Sequence, residues 1–102
     1  INKSNKDELP ELYKVMKSLQ ISSWRVLNME PIGRTADNQD LLLDKNDYIT
    51  LLDFIKEKRK ESDFDVTYGC AHFLGMKYEK EVRKPMFFCI AGFTIASVDT
   101  SE

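Results

Sequence analysis

Ser22-Ser23-Trp24-Arg25-Val26-Leu27-Asn28-Met29, running into Glu30-Pro31-Ile32-Gly33-Arg34, reads as a β-strand feeding a loop. Trp24, Val26 and Leu27 supply the strand, and Pro31 with Gly33 closes it. Its near-continuous apolarity predicts burial on both faces, as in a parallel sheet. Before it, Asp7 to Gln20 places Leu9, Leu12, Tyr13, Met16 and Leu19 at helical spacing. Pro10 falls in the first turn, where a missing N–H costs nothing, and Asp7 is the expected N-cap. After it, Glu30 to Lys45 is a long connection, and Asp47 to Lys60 reads as a second helix capped by Asn46. Tyr48, Leu51, Leu52 and Ile55 form its buried stripe, and the mixed charges of Lys56 to Glu61 read as a solvated face. Phe64 to Tyr68 is a second short strand, ended by Gly69. Helix, strand, helix, strand is the order of consecutive βα units in a parallel sheet or barrel, so the expected class is α/β.

Beyond Cys70 the pattern changes. Ala71 to Lys84 is charged and irregular, with one or two helical turns expected around Lys77 to Arg83, and Pro85 breaks them. Phe87, Phe88, Ile90, Phe93, Ile95 and Val98 then predict a strand-rich tail bent at Gly92, with a boundary near Pro85.

Composition limits the function classes. A chain of 102 residues is one small domain, able to bury roughly two-thirds of its exposable surface. It is 42% apolar and 31% charged, the balance of a soluble globular chain. Fifteen basic residues against seventeen acidic give a net charge of -2, which argues against a nucleic-acid footprint or an electrostatic membrane anchor. No apolar run is long enough to span a bilayer, and the polar start lacks a secretory h-region. Two cysteines do not make a secreted disulfide framework, so a cytoplasmic location is expected. Ile1 in place of Met, and an end at Glu102 directly after a strand-like run, predict a segment excised from a longer protein.

The polar residues of interest follow the carboxyl ends of the two strands: Asn28 to Arg34, and Gly69-Cys70-Ala71-His72. Parallel α/β folds bind ligands at that end, so the two loops are expected to share one face. The plainer alternative is that Gly33 permits a turn and Arg34 is solvated. Cys70, His72 and Cys89 invite a metal reading, but Cys-x-His offers two ligands at most and no Cys-x-x-Cys is present. Buried thiols and a Cys70–Cys89 disulfide are the alternatives. His72 is the single histidine and has no nucleophile motif beside it, so a catalytic triad is unsupported. A Gly-rich phosphate loop is also missing, and Trp24 and Phe87-Phe88 read most simply as core.

Taken in order, several motifs carry a resemblance. Trp24-Arg25-Val26-Leu27-Asn28-Met29-Glu30-Pro31-Ile32-Gly33-Arg34-Thr35 resembles a late strand and loop of radical S-adenosylmethionine enzymes, departing at Thr35, where alanine is usual. Tyr68-Gly69-Cys70, Phe73-Leu74-Gly75, Tyr78-Glu79 and Phe88-Cys89-Ile90-Ala91-Gly92 are similar to the run into a SPASM domain, which binds auxiliary iron–sulfur clusters. The resemblance implies that residues 1–84 are the last βα units of a partial (βα) barrel and 85–102 the β-rich start of a SPASM-like segment. It further implies that Cys89 ligates an auxiliary cluster in the parent, that Cys70 resembles a cysteine of part of the family, and that Asn28 and Arg34 border S-adenosylmethionine or substrate. The cluster-binding triple-cysteine motif is absent, so the chain alone is expected to hold no cofactor and to be inactive. The parent would use iron–sulfur clusters and S-adenosylmethionine on a peptide or small molecule, in peptide maturation or in cofactor or haem-precursor biosynthesis. The competing reading is a small self-associating interaction module, with zinc on Cys70, His72 and Cys89 as a sub-case. Open strand edges would then make it a homodimer or swapped oligomer.

Overall fold

A computed structural model describes residues 1–69, 72–84, 93, 94, 96 and 98. The chain is mixed α/β. A short 3-10 turn, Lys6–Glu8, leads into helix α1, Leu9–Ser18; strand β1, Ser23–Val26, follows. Two more 3-10 turns, Gly33–Asp37 and Gln39–Leu41, fill the long connection to helix α2, Lys45–Glu61. Strand β2, Asp65–Tyr68, and helix α3, Met76–Val82, complete the described elements. β1 and β2 pair in parallel, with Ser23 opposite Asp65 and Val26 opposite Tyr68, so β1, α2 and β2 form one βαβ crossover. No helix among the described residues is long and apolar enough to cross a membrane.

The core lies between the strands and the helices. Val26, Val66 and Tyr68 from the sheet meet Leu51, Leu52 and Ile55 of α2, with Leu9, Phe64 and Val82 closing the ends. The predicted stripe of α2 is thus the buried one, with Tyr48 packed against its margin. On α1 the stripe stops early. The helix ends at Ser18 because Gln20 takes a left-handed backbone, φ 52°, and Leu19 is turned out to 61% exposure. β1 also departs from expectation: Ser23 and Arg25 are exposed, so one face is covered and the other faces outward. Lys56 to Glu61 is not wholly solvated either. Lys58 lies over the rings of Tyr13 and Phe54, 5.3 and 5.7 Å from their centroids, and Arg59 donates to the Arg83 carbonyl at 3.1 Å.

Both expected caps are displaced. Asp7 sits inside the first 3-10 turn, and Glu8 precedes α1 without a side-chain cap. α2 is capped by Asp44 instead of Asn46: its Oδ1 accepts the Asn46 and Asp47 N–H groups at 2.9 and 3.0 Å. An aspartate two residues earlier reaches two orphan donors and also places a negative charge at the helix amino terminus. Those bonds, led by the one from Asp47, hold the Asp44 carboxyl below its ordinary pKa. A depressed folded-state pKa stabilises above the unfolded value and loses that contribution as pH falls through the folded one. Asp44→Ala therefore lowers the thermal midpoint at neutral pH, and its difference from the parent shrinks as pH falls below the ordinary aspartate range. Asp44→Ser keeps more of the midpoint and lacks that acid dependence; melts of the three chains across pH check both.

Candidate functional site

The sequence element that builds the site is the parallel pairing itself. Because β1 and β2 run in the same direction, the loops that follow them leave from one edge, as expected from the strand order. Their backbones meet closely. Gly69 donates to the Val26 carbonyl at 2.7 Å, and a Cβ built on Gly69 would lie 1.9 Å from Leu27 Cδ2. A side chain at position 69 would displace the Leu27 side chain.

From this edge a run of polar side chains links both loops to α2. Asn28 Nδ2 donates to Glu30 Oε1 at 3.1 Å and to the Met29 carbonyl at 3.0 Å. The Tyr68 hydroxyl, at the end of β2, donates to Asn28 Oδ1. Having one proton, Tyr68 must then accept from Tyr48, whose hydroxyl is 2.6 Å away on α2. Tyr48 in turn accepts from His72 Nε2 at 3.4 Å, and the two rings stack with centroids 5.8 Å apart. His72 Nδ1 lies 3.6 Å from Glu30 Oε1, so the chain of groups returns to its start. The four hydrogen bonds run one way, from His72 through both tyrosines and Asn28 to Glu30, and the 3.6 Å contact between Glu30 and His72 is too long to be a fifth. Burial, followed by the bond from Tyr48, pushes the Tyr68 phenol well above the ordinary tyrosine range; burial likewise raises Tyr48. Both hydroxyls therefore stay protonated as hydrogen-bonding groups at neutral pH.

The ring opens onto a cleft of about 330 Å³, lined by Asn28, Glu30, Tyr48 and His72 on one side. Met29, Pro31, Leu42 and Leu43 give it an apolar wall, and Asp44 and Lys45 stand at the start of α2. An apolar wall facing a few converging polar groups is the makeup of a small-molecule site. Its chemistry is binding and orientation: Glu30 and His72 remain accessible to solvent while Asn28, Tyr48 and Tyr68 are held by one another.

A buried ion pair supports the second loop from below. Glu79 is wholly buried and Arg83 is 7% exposed; their Oε1 and Nη1 are 2.6 Å apart. Arg83 Nη2 donates to the carbonyls of Gly69 and His72 at 3.1 and 3.0 Å, the two carbonyls that bracket positions 70 and 71. Its guanidinium also lies 5.0 Å from the Tyr68 ring centroid. Glu79 Oε1 takes the Leu74 N–H at 2.8 Å, so one carboxylate ties α3 to the loop leading into it. The sequence reading missed this pair. Its signal was Glu79-x-x-x-Arg83, the spacing that puts opposite charges on one helix face.

Of the residues singled out from sequence, Asn28 and His72 come together in the cleft, joined by Glu30. Arg34 does not join them. It lies on the 3-10 turn that Gly33 opens with a left-handed φ of 61°, is exposed, and makes no side-chain hydrogen bond or ion pair among the described residues. The plainer reading of Gly33 and Arg34 fits this geometry. Cys70 and Cys89 lie outside the described residues, as do Pro85 and most of the expected strand-rich tail. Among the described residues, no group of three or more histidine, cysteine, aspartate or glutamate side chains gathers to hold a metal. Comparison with family models, with curated proteins and with solved structures found no match to this chain.

Proposed function

We propose that this chain is the rim of a late parallel βα unit in a radical S-adenosylmethionine enzyme, adjoining the start of a SPASM-like auxiliary-cluster segment. The observation that supports the reading best is the convergence of the two post-strand loops. The segment quoted for the resemblance, Asn28 to Pro31, and His72 from beyond β2 line one cleft at the carboxyl edge of a parallel pair. That is where a parallel fold binds small molecules. Glu30 presents a carboxylate to the cleft and suits the hydroxyl and amino groups of S-adenosylmethionine, and Asn28, whose amide hydrogens go to Glu30 and the Met29 carbonyl, positions it beside the ligand. Arg34 would meet ligand only at the outer rim. The described residues do not make a ligand set for a cluster, and Cys70 and Cys89 are the cysteines assigned to that role in the parent.

In the bound parent, S-adenosylmethionine supplies radical chemistry when reduced by its cluster. This chain's own residues bind and orient. Tyr68 and Tyr48 hold the Asn28 amide in one rotamer, and Met29, Pro31, Leu42 and Leu43 offer apolar contact along one side of the cleft.

The test begins with the native protein, detected by an antibody against residues 36–60. A band several times larger than 11.9 kDa is expected, and a band at this chain's own mass overturns the reading. The larger protein, purified without oxygen, is expected to contain iron and to release 5′-deoxyadenosine from S-adenosylmethionine; absence of both overturns it. Asn28→Ala in that protein raises the KM for S-adenosylmethionine roughly tenfold, the loss of about one hydrogen bond. The isolated chain is expected to cleave none.

A further inference from the structure

We propose that Glu30 and His72 form a seat for a divalent cation of the zinc class in the cleft. The Met29 carbonyl can only accept, so its bond at 3.0 Å fixes which end of the Asn28 amide is the Nδ2 donor. Asn28 Oδ1 then accepts the Tyr68 proton, and Tyr68 accepts the proton of Tyr48, 2.6 Å away. Tyr48 has no second proton to give, so it accepts from His72 Nε2 at 3.4 Å. The bond made by one ring nitrogen of a histidine decides what the other can do. With the proton of the neutral ring on Nε2, Nδ1 keeps its lone pair and faces the Glu30 carboxylate, 3.6 Å from Oε1. Two acceptors thus face each other across a gap with no proton between them, and a cation completes that arrangement.

Three features select the ion. An imidazole nitrogen beside a carboxylate oxygen suits zinc or cobalt, whereas magnesium and calcium take oxygen ligands. Two ligand atoms 3.6 Å apart, each about 2.1 Å from the ion, subtend roughly 120° there, near the tetrahedral angle that zinc favours. Both ligands are also held from behind. Tyr48 takes the Nε2–H of His72 and stacks on its ring at 5.8 Å, while the Asn28 amide donates to Glu30 Oε1 at 3.1 Å. Outer partners of this kind orient metal-binding histidines and carboxylates. The His72 and Glu30 side chains are 53% and 32% exposed, so the ion enters from solvent without opening the fold. The described residues supply these two ligands and no third of their kind; water or oxygen atoms of a cleft-bound molecule take the remaining positions.

The 102-residue chain is titrated with Zn²⁺ and followed by calorimetry and by the nitrogen-15 spectrum of the His72 ring. Zn²⁺ is expected to bind saturably and Mg²⁺ not to compete. The metal-free ring carries its proton on Nε2, and Zn²⁺ moves the Nδ1 signal most. His72→Ala and Glu30→Gln each weaken Zn²⁺ binding about tenfold or more. Tyr48→Phe weakens it about tenfold by removing the acceptor that orients the ring. Asp40→Asn, on the 3-10 turn Gln39–Leu41, leaves it unchanged. A measurement on the parent chain needs no variant to fold: Co²⁺ broadens the resonances of His72, Glu30 and Asn28 first. Absence of saturable Zn²⁺ binding overturns the proposal, as does binding that Glu30→Gln leaves intact. A free ring with its proton on Nδ1 overturns it too. A thiolate charge-transfer band with Co²⁺ assigns the ion to Cys70 or Cys89 and also overturns it. The inference goes beyond the cofactor reading: Zn²⁺ is added to a chain without iron or S-adenosylmethionine, so either can fail while the other holds.

Discussion

Arg83→Leu destabilises the fold by about 3–5 kcal/mol, read as a lower urea midpoint at unchanged slope. The size follows from what the substitution leaves behind. Glu79 is wholly buried, and its Oε1 lies 2.6 Å from Arg83 Nη1; removing the guanidinium takes the adjacent cation from a carboxylate shielded from water. The Gly69 and His72 carbonyls lose their Nη2 donor in the same step. Glu79→Leu is expected to cost a similar amount, because the buried guanidinium loses the carboxylate beside it. Replacing both, Glu79→Leu with Arg83→Leu, costs clearly less than the sum, since no charge is then left buried. Arg83→Lys does not rescue, because a single ammonium cannot span a carboxylate and two carbonyls as a planar fork does. Single substitutions that each cost under about 1 kcal/mol would sink this account and mark the pair as a peripheral contact.

The pair also explains how the site holds its shape. Positions 69 and 72 are pinned by the same nitrogen, and His72 stacks on Tyr48 at 5.8 Å. Loss of Arg83 therefore frees the post-β2 loop before it reaches Glu30 and the cleft. Rigid support beneath a loop that carries accessible groups is a common way to position a site without burying it.

How much of this was legible depended on the kind of signal. The βαβ order was readable because apolar spacing reports burial directly: Leu51, Leu52 and Ile55 recur on one helical face, and all three are buried. The shared face of the two loops followed from parallel pairing alone, with no contact needed to infer it. The ring of Asn28, Tyr68, Tyr48, His72 and Glu30 was not legible. Its members are 20 and 40 residues apart across their closest hydrogen bonds, and tyrosines at 48 and 68 read as apolar stripe and strand. Glu79 and Arg83 were hidden by the opposite error, since charged residues in an irregular stretch read as solvated. The cap on α2 was misplaced because Asp44, Asn46 and Asp47 are all good capping types; choosing among them requires knowing where the backbone leaves the helix. The apolar content of β1 predicts burial on both faces, yet the exposed Arg25 within it marks an outward one.

The second large effect lies in the core. Ile55→Ala costs about 2–5 kcal/mol and Ile55→Val about 0.5–1.5 kcal/mol, because a residue with no exposed surface leaves a cavity in proportion to the atoms removed. Ile49→Ala, on the same helix but 37% exposed, is the internal control and costs at most about 0.5 kcal/mol. Equal losses at the two positions would mean that α2 does not pack on the sheet through its predicted stripe. The truncation also reaches the cleft. Tyr48 lies seven residues before Ile55, two turns along the same face, and its hydroxyl meets Tyr68 at 2.6 Å. Both phenols are raised by burial first, so a loosened α2 that admits water moves their titration down towards ordinary tyrosine. The sign for stability follows. A raised folded-state pKa contributes fully below the unfolded tyrosine value, about 10, and is lost as pH climbs through the folded one. Ile55→Ala is therefore expected to show earlier phenolate absorbance in an alkaline titration of the folded protein, whereas Ile49→Ala tracks the parent. A titration unchanged by Ile55→Ala, alongside the expected stability loss, would show that the polar ring is held by its own hydrogen bonds and not by the core beneath it.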